Sequence, residues 1–223
     1  MPEGSNKETL FAPLSPDAQE RLLQAAIRRT YREGQIFATR GEVWPYLFLV
    51  ESGKVQAEKE SLEGRRLQVL TVEPGEVFWG LAFFQDDAPM PVTLQAVTRS
   101  SLFLWNRERL LPVLLQNSRV LWELCRVMVG RMNRASEIVE ELAFQPVAGR
   151  LARLLLEHYE GISAEPVERD LTLDEMAARI GTTREMVCRV LYRFSDDELI
   201  EITRTEFTLN DIDALAQLAG GTA

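Results

Sequence analysis

The stretch from Thr172 to Tyr192, TLDEMAARIGTTREMVCRVLY, constrains this chain more than any other. It reads as two short helices joined by a tight turn. Thr172 followed by Glu175 has the spacing of a capping box, and Thr182 followed by Glu185 repeats it. Each opens an apolar-periodic run. Apolar residues fall at Met176, Ala177, Ile180, Val187, Val190 and Leu191. Counted from Leu173, the fifth position is the small Ala177, where two steeply crossing helices need close approach. The ninth is Gly181, where the turn requires positive φ. This is the spacing of a helix-turn-helix, whose second helix enters the major groove of double-stranded DNA.

The second helix displays Thr183, Arg184, Glu185 and Arg189 on its first turns, opposite a buried stripe of Val187, Val190 and Leu191. Arginine donates two hydrogen bonds to guanine O6 and N7, and glutamate accepts from cytosine N4. A solvated helix face with Arg–Glu pairing would carry the same charges. The turn glycine, the small crossing residue and the two caps coincide here, which favours DNA reading.

Charge adds a condition. The chain holds 25 Lys and Arg against 34 Asp and Glu, a net −9, which argues against nonspecific nucleic-acid binding. From Pro146 onward there are 8 Arg and no Lys against 15 acidic residues, a net −7. Yet Thr182 to Phe194 alone is +2. Binding then depends on a small basic face set on an acidic body, and two such faces acting together are expected.

Upstream, Leu14 to Thr30 reads as a short amphipathic helix with Ser15 as cap and Pro16 at its first position. From Tyr31 to Trp105 the texture changes to YLFLV, KVQAE, LQVLTV, VTLQAV and SLFLW, separated by glycine turns. Many short strands of this kind indicate a barrel or a double-sheet roll. Asn106 caps a short helix, RERLLPVLLQ, and Ser118 caps a long one running to about Phe144. Along it Leu121, Cys125, Met128, Met132, Ala135, Val139 and Leu142 recur at alternating spacings of four and three. That is an a/d heptad seam, the pattern for pairing with a second helix. Packing of this stripe on the chain's own roll is the alternative, but Leu124, Val127 and Ile138 supply a second stripe for that. Gly130 inside the helix would allow a neighbour close approach. Gln145-Pro146 ends the long helix and suits a hinge. Gly161 to Arg169 reads as a polar loop, Leu199 to Leu209 as a two-stranded wing, and Asn210 as the cap of a last helix ending at Gly220-Gly221.

With 223 residues the chain holds one large or two ordinary domains. The expected division is a β-roll sensory domain over 1–117, a dimerisation helix and hinge over 118–145, and a winged helix-turn-helix over 146–223. The fold class is α+β. Apolar runs are too short or too charged for a membrane helix, and MPEGSNKETLF is no signal peptide. Cys125 and Cys188, on separate helices, suit a reducing cytoplasm. Two cysteines are too few for a four-thiolate iron–sulfur cluster contained in one chain.

The order of roll, long helix, hinge and winged helix-turn-helix resembles the Crp/Fnr family of bacterial transcription regulators. The resemblance rests on the roll pattern with Gly34, Gly41 and Gly53, on LAFQPVAGRLARLLL and on GTTREMVCRVL, and covers nearly the whole chain. It implies a cyclic-nucleotide-binding-like roll, a double-stranded β-helix, and a homodimer on a palindromic TGTGA-like site. Arg184, Glu185 and Arg189 would be the base readers, and Thr172 and Thr183 would touch phosphate. Double-stranded DNA, a second copy of the chain and RNA polymerase are the implied partners, in the cytoplasm, without a membrane.

The sensory pocket departs from the cyclic-nucleotide members of that family. Where they carry a glycine–glutamate pair for the ribose and an arginine–serine pair for the phosphate, this chain has Trp79-Gly80 and Met90-Pro91. A threonine–serine pair that meets the purine appears as Ala135-Ser136. Each lost charged hydrogen bond is worth on the order of 1.5–3 kcal/mol, so cAMP is not expected to bind in the usual way. Trp79, Leu81, Met90, Arg131 and Ser136 are the candidate lining of an effector pocket. Trp79, Phe83, Phe84 and Met90 could equally fill the roll, and core filling is the preferred reading. No cofactor is expected. The only histidine, His158, lies beyond the hinge and reads as a surface residue, and Pro2 as an N-terminal haem ligand lacks an evident second ligand. Cys125 in the seam reads as a small hydrophobe, with an intersubunit disulfide as the alternative.

No nucleophile–base pair, phosphate-cradling loop or histidine-bearing roll points to an enzyme, so none is expected, and no catalytic or metal-ligating residue is assigned. The competing reading is a small-molecule or redox sensor that signals through protein contacts with weak or no DNA binding. The acidic C-terminal part supports it, including Asp174 where the family often has a neutral phosphate-contacting residue.

Overall fold

The computed structural model describes residues 10–159, 166–203 and 205–220. The chain forms two compact units. One holds the residues up to Lys59 together with Val69–Arg134, and the other holds Glu60–Gln68 and the chain from Ala135 onward. The division falls inside the long helix.

The first unit opens with helix α1 (Pro16–Gln24), capped by the Ser15 hydroxyl and led by its proline. The helix stops well short of Thr30, where the sequence placed its end. Residues Ile27–Tyr31 form strand β1, paired antiparallel with β8 (Ser100–Asn106) from Ile27 opposite Leu104 to Tyr31 opposite Ser100. A ladder with a partner about seventy residues away overrides local helix preference here. The remaining strands are β2 (Ile36–Ala38), β3 (Tyr46–Ser52), β4 (Val55–Glu60), β5 (Arg66–Val72), β6 (Val77–Trp79) and β7 (Thr93–Ala96). They make two four-stranded sheets, ordered β1-β8-β3-β6 and β2-β7-β4-β5.

The apolar runs YLFLV and SLFLW have a physical reason in this arrangement. Phe48, Val50, Leu102 and Leu104 face a core shared with Val55, Ala57, Leu94 and Met90. Their alternates Leu47 and Trp105 face the helices, packing with Leu22, Leu110, Leu114, Val120 and Leu124. Both faces of this sheet are covered, so both alternating sets of residues must be apolar. Trp105 Nε1 donates to the Leu22 carbonyl at 2.8 Å, which satisfies its only donor inside the core.

Helix α2 (Arg107–Gln116) begins where Asn106 accepts from the Arg109 N–H. Helix α3 (Ser118–Phe144) follows at once. Ser118 is its first helical residue rather than a cap, and the Asn117 side chain donates back to Val113 at the end of α2. Val120 and Leu124 of α3 are buried against the roll, and Val127 packs there too. The heptad stripe faces the other way.

The second unit contains α4 (Val147–His158), α5 (Leu173–Ile180), α6 (Arg184–Asp196) and α7 (Ile212–Leu218), with β9 (Val167–Glu168), β10 (Ile200–Ile202) and β11 (Glu206–Leu209). The wing is a three-stranded sheet ordered β10-β11-β9. Its third strand comes from the segment read as polar loop, where two residues offer no alternation to detect. The rest of that loop up to residue 165, together with Pro2 and Gly221, lies outside the described residues. Asp211, not Asn210, caps α7 by accepting from the Ala214 N–H at 2.8 Å. The core joins Leu151, Leu155, Met176, Val187, Val190, Leu191, Phe194 and Phe207.

Candidate nucleic-acid interface

Helices α5 and α6 are held by caps at both ends. Thr172 and Glu175 form a reciprocal capping box, Thr172 Oγ1 accepting from the Glu175 N–H at 3.2 Å while Glu175 Oε2 accepts from the Thr172 N–H at 2.8 Å. Gly181 ends α5 at φ 64°, ψ 47°. A Cβ there would come within 2.6 Å of Leu142 Cδ2 and 3.1 Å of Leu67 Cδ1, side-chain ends that would have to shift, so the positive φ is the stronger reason for glycine. The second cap sits one residue later than the sequence spacing placed it. The Thr182 N–H is drawn back to the Ala177 carbonyl at 2.9 Å, and Thr183 becomes the cap, accepting from the Met186 N–H at 3.3 Å.

The three expected readers come together. Arg184, Glu185 and Arg189 are all exposed, and with Leu173, Cys188 and Tyr192 they line one open groove of about 470 Å³. Val187, Val190 and Leu191 on the opposite face are buried. Glu185 has its carboxyl held below the ordinary value, first by its own backbone N–H and then by the Thr183 hydroxyl. It is a committed acceptor at neutral pH. Arg184 is not idle: its Nη1 lies 3.5 Å from Asp174 Oδ2 on α5, with both side chains more than half exposed. The two expected phosphate contacts are the two capping residues. Both hydroxyls already serve glutamates, Thr172 donating to Glu175 at 2.7 Å and Thr183 to Glu185. A phosphate would therefore meet mainly the N-terminal N–H groups of these helices.

A polar cluster that sequence reasoning missed supports the start of α5. Asp170 accepts from the Tyr159 hydroxyl at 3.0 Å, and His158 Nε2 lies 2.8 and 2.9 Å from its carboxylate oxygens. Arg179 Nη1 is 3.4 Å from His158 Nδ1. His158 is thus a partly buried, engaged residue rather than a plain surface one. Burial alone would raise the Asp170 carboxyl, but the hydrogen bonds from His158 and Tyr159 outweigh it and hold it below its usual value. Burial, then the bond to Asp170, pushes the Tyr159 hydroxyl well above its own.

The heptad stripe of α3 is open. Leu121, Met128 and Leu142 are each more than a third exposed, and Met132 and Val139 about two thirds. Cys125 and Ala135 are exposed as well. A Cβ at Gly130 would meet nothing within 4 Å.

The candidate effector residues differ in exposure. Met90 is buried in the roll core, Trp79 stacks on Phe78 with ring centroids 5.6 Å apart, and Leu81 and Ser136 are exposed. Phe83 is buried, while Phe84 remains 40% exposed. A Cβ at Gly80 would strike the Trp44 carbonyl oxygen at 1.8 Å and lie 3.1 Å from the Met90 sulfur. The chain closes on itself at that point. Arg131 pairs with Glu76 at 3.7 Å. Burial draws its guanidinium pKa down, Glu76 counters, and its Nε is buried without a partner. Among the described residues no group of three or more His, Cys, Asp and Glu side chains is placed to hold a metal ion. No helix among them is long and apolar enough to cross a membrane.

Comparison with known proteins agrees with this architecture. The family model of the Crp-like helix-turn-helix domain matches residues 149–218, and that of the cyclic nucleotide-binding domain matches residues 28–117. The chain is 25% identical to a CRP-like cAMP-activated global transcriptional regulator of Mycobacterium tuberculosis, over 94% of this chain and 96% of that protein. It is 26% identical to the cyclic AMP receptor protein of Thermus thermophilus, over 96% and 98%. A crystal structure of a putative Crp/Fnr-family transcriptional regulator from Eubacterium rectale superposes with a TM-score of 0.75 at 22% identity, over 95% of this chain and 98% of that one. With a β-roll, a long helix and a helix-turn-helix DNA-binding domain in this order, the chain belongs to the Crp/Fnr family of transcription regulators.

Proposed function

We propose that this regulator is a homodimer that reads a palindromic, TGTGA-like site. Residues 1–117 would serve as the sensory roll, 118–145 as dimerisation helix and hinge, and 146–223 as the DNA-binding part. Arg184, Glu185 and Arg189 make the base contacts, and the N-termini of α5 and α6, at Thr172 and Thr183, meet phosphate. The observation that carries this reading is the pair of unpartnered faces. One is the groove lined by all three readers. The other is an apolar heptad stripe that the chain itself leaves open. A stripe of this kind is covered by a second copy of the same helix. Doubling also answers the acidic body, since one face of net +2 is weak alone.

Control by cAMP in the usual way does not fit this roll. Trp79-Gly80 and Met90-Pro91 stand where the family's ribose- and phosphate-binding pairs are expected. RNA polymerase, as the machinery a transcription regulator acts on, is the further partner, and the cytoplasm the location. The second reading, a sensor that signals through protein contacts, is favoured by one observation: Asp174 holds Arg184 on the DNA-facing side. Selection of bound sites from random duplex DNA tests the choice. Enrichment of an inverted repeat supports the first reading, and no enrichment supports the second.

A further inference from the structure

The groove on α6 is only half explained by Arg184, Glu185 and Arg189. Its remaining wall is apolar: Leu173 from the start of α5, Cys188 and Tyr192. Cys188 and Tyr192 follow Arg184 at i+4 and i+8, so they continue the reader line along the same helix face. Leu173 packs against the core that Val187, Val190, Leu191 and Phe194 fill, while Cys188 and Tyr192 lie outside it. Tyr192 is 67% exposed, and Cys188 is partly so. Apart from the Tyr192 hydroxyl, this end of the groove offers no strong hydrogen-bonding side chain. The major groove offers one apolar feature, the 5-methyl group of thymine.

We propose that Leu173, Cys188 and Tyr192 form an apolar shelf that takes a thymine methyl group, beside the bases contacted by Arg184 and Arg189. The inference rests on the DNA-reading function proposed above. It adds a residue set that separates T·A from C·G by contact with a methyl group rather than by hydrogen bonds. Exposed apolar side chains on an otherwise polar reading face become useful only when such a group covers them.

The test uses the full-length protein and the site selected from random DNA. Each thymine of a half-site is replaced in turn by deoxyuridine, which removes the methyl and leaves every hydrogen-bonding group in place. The expected result is one position where the exchange weakens binding ~4-fold per half-site, the size for burying one methyl group. In Tyr192→Ala and Cys188→Gly variants, checked for unchanged thermal unfolding, the same exchange should have little further effect. Two results overturn the inference while leaving the base readers standing. In one, binding depends on Arg184 and Arg189 but is indifferent to every deoxyuridine. In the other, the penalty is the same in the variants as in the parent. A protein with no sequence preference at all overturns this inference together with the function beneath it.

Discussion

Arg150 Nε donates to the carbonyl oxygen of Ile180 at 2.9 Å, across from α4 to the last residue of α5. The same guanidinium donates from Nη1 to the Gln145 and Glu141 carbonyls at 2.6 and 3.3 Å, at the end of α3. One cation therefore satisfies the open Ile180 and Gln145 carbonyls and shares the Glu141 carbonyl with the Gln145 N–H, at helix ends where positive charge is also favoured by the helix dipoles. Burial lowers its pKa and Glu141 opposes that shift. This side chain ties the end of α3 to the end of α5, next to Pro146.

Replacing Arg150 with Ala takes its donor from the Ile180 and Gln145 carbonyls, while the Glu141 carbonyl keeps the Gln145 N–H. The second unit should lose about 1–3 kcal/mol in urea unfolding. Arg150→Lys should recover only part, because an ammonium cannot hold the fork geometry. Full recovery by lysine would mean that only the charge matters.

The pair between Arg184 and Asp174 sets a second expectation. A surface ion pair is worth about 0–1 kcal/mol, and Asp174 would also stand close to incoming phosphate. Asp174→Asn should tighten binding to the selected site by roughly 3- to 10-fold at fixed salt, since both effects are removed. An unchanged Kd would show that Arg184 swings clear at no cost.

The Asp170 cluster makes stability depend on pH with a defined sign. Its carboxyl is held below the ordinary value of 3.8 in the folded protein. Its contribution is present above the unfolded value and is lost as pH falls through the folded one. Asp170→Asn should lower the urea midpoint at pH 7 and flatten the acid side of the profile, from near 3.8 downward. Parallel curves for parent and variant would remove Asp170 from the account.

Met128 lies near the middle of the open stripe on α3. Met128→Lys would place two charges against each other across the two-fold axis. Sedimentation velocity should then show monomers with little specific DNA binding. A variant that stays dimeric would move the interface elsewhere.

What the sequence disclosed and what it hid divide along the range of the forces involved. The Thr172–Glu175 box is readable because both members and both backbone groups lie within one turn of helix. The sheet alternation of YLFLV and SLFLW is readable because burial on both faces leaves a plain apolar run. Ile27–Tyr31 reads as helix in the sequence because its partner β8 is far off in the chain. The shift of the cap from Thr182 to Thr183 depends on a hydrogen bond around the αL turn, which composition does not show. His158 meets Asp170 and Arg179 only once α4 and α5 have packed. Cys188 and Tyr192 follow Arg184 at i+4 and i+8, a spacing that the sequence alone shows.

The central claim is that Arg184 reads a base within a doubled site. The most direct measurement compares Arg184→Ala with the parent on the selected inverted repeat and on scrambled DNA, at one salt concentration. The expected result is a loss of ~1–3 kcal/mol per half-site on the repeat, with relaxed discrimination at one guanine and little change on scrambled DNA. Equal losses on both would contradict it, placing Arg184 on the phosphate backbone.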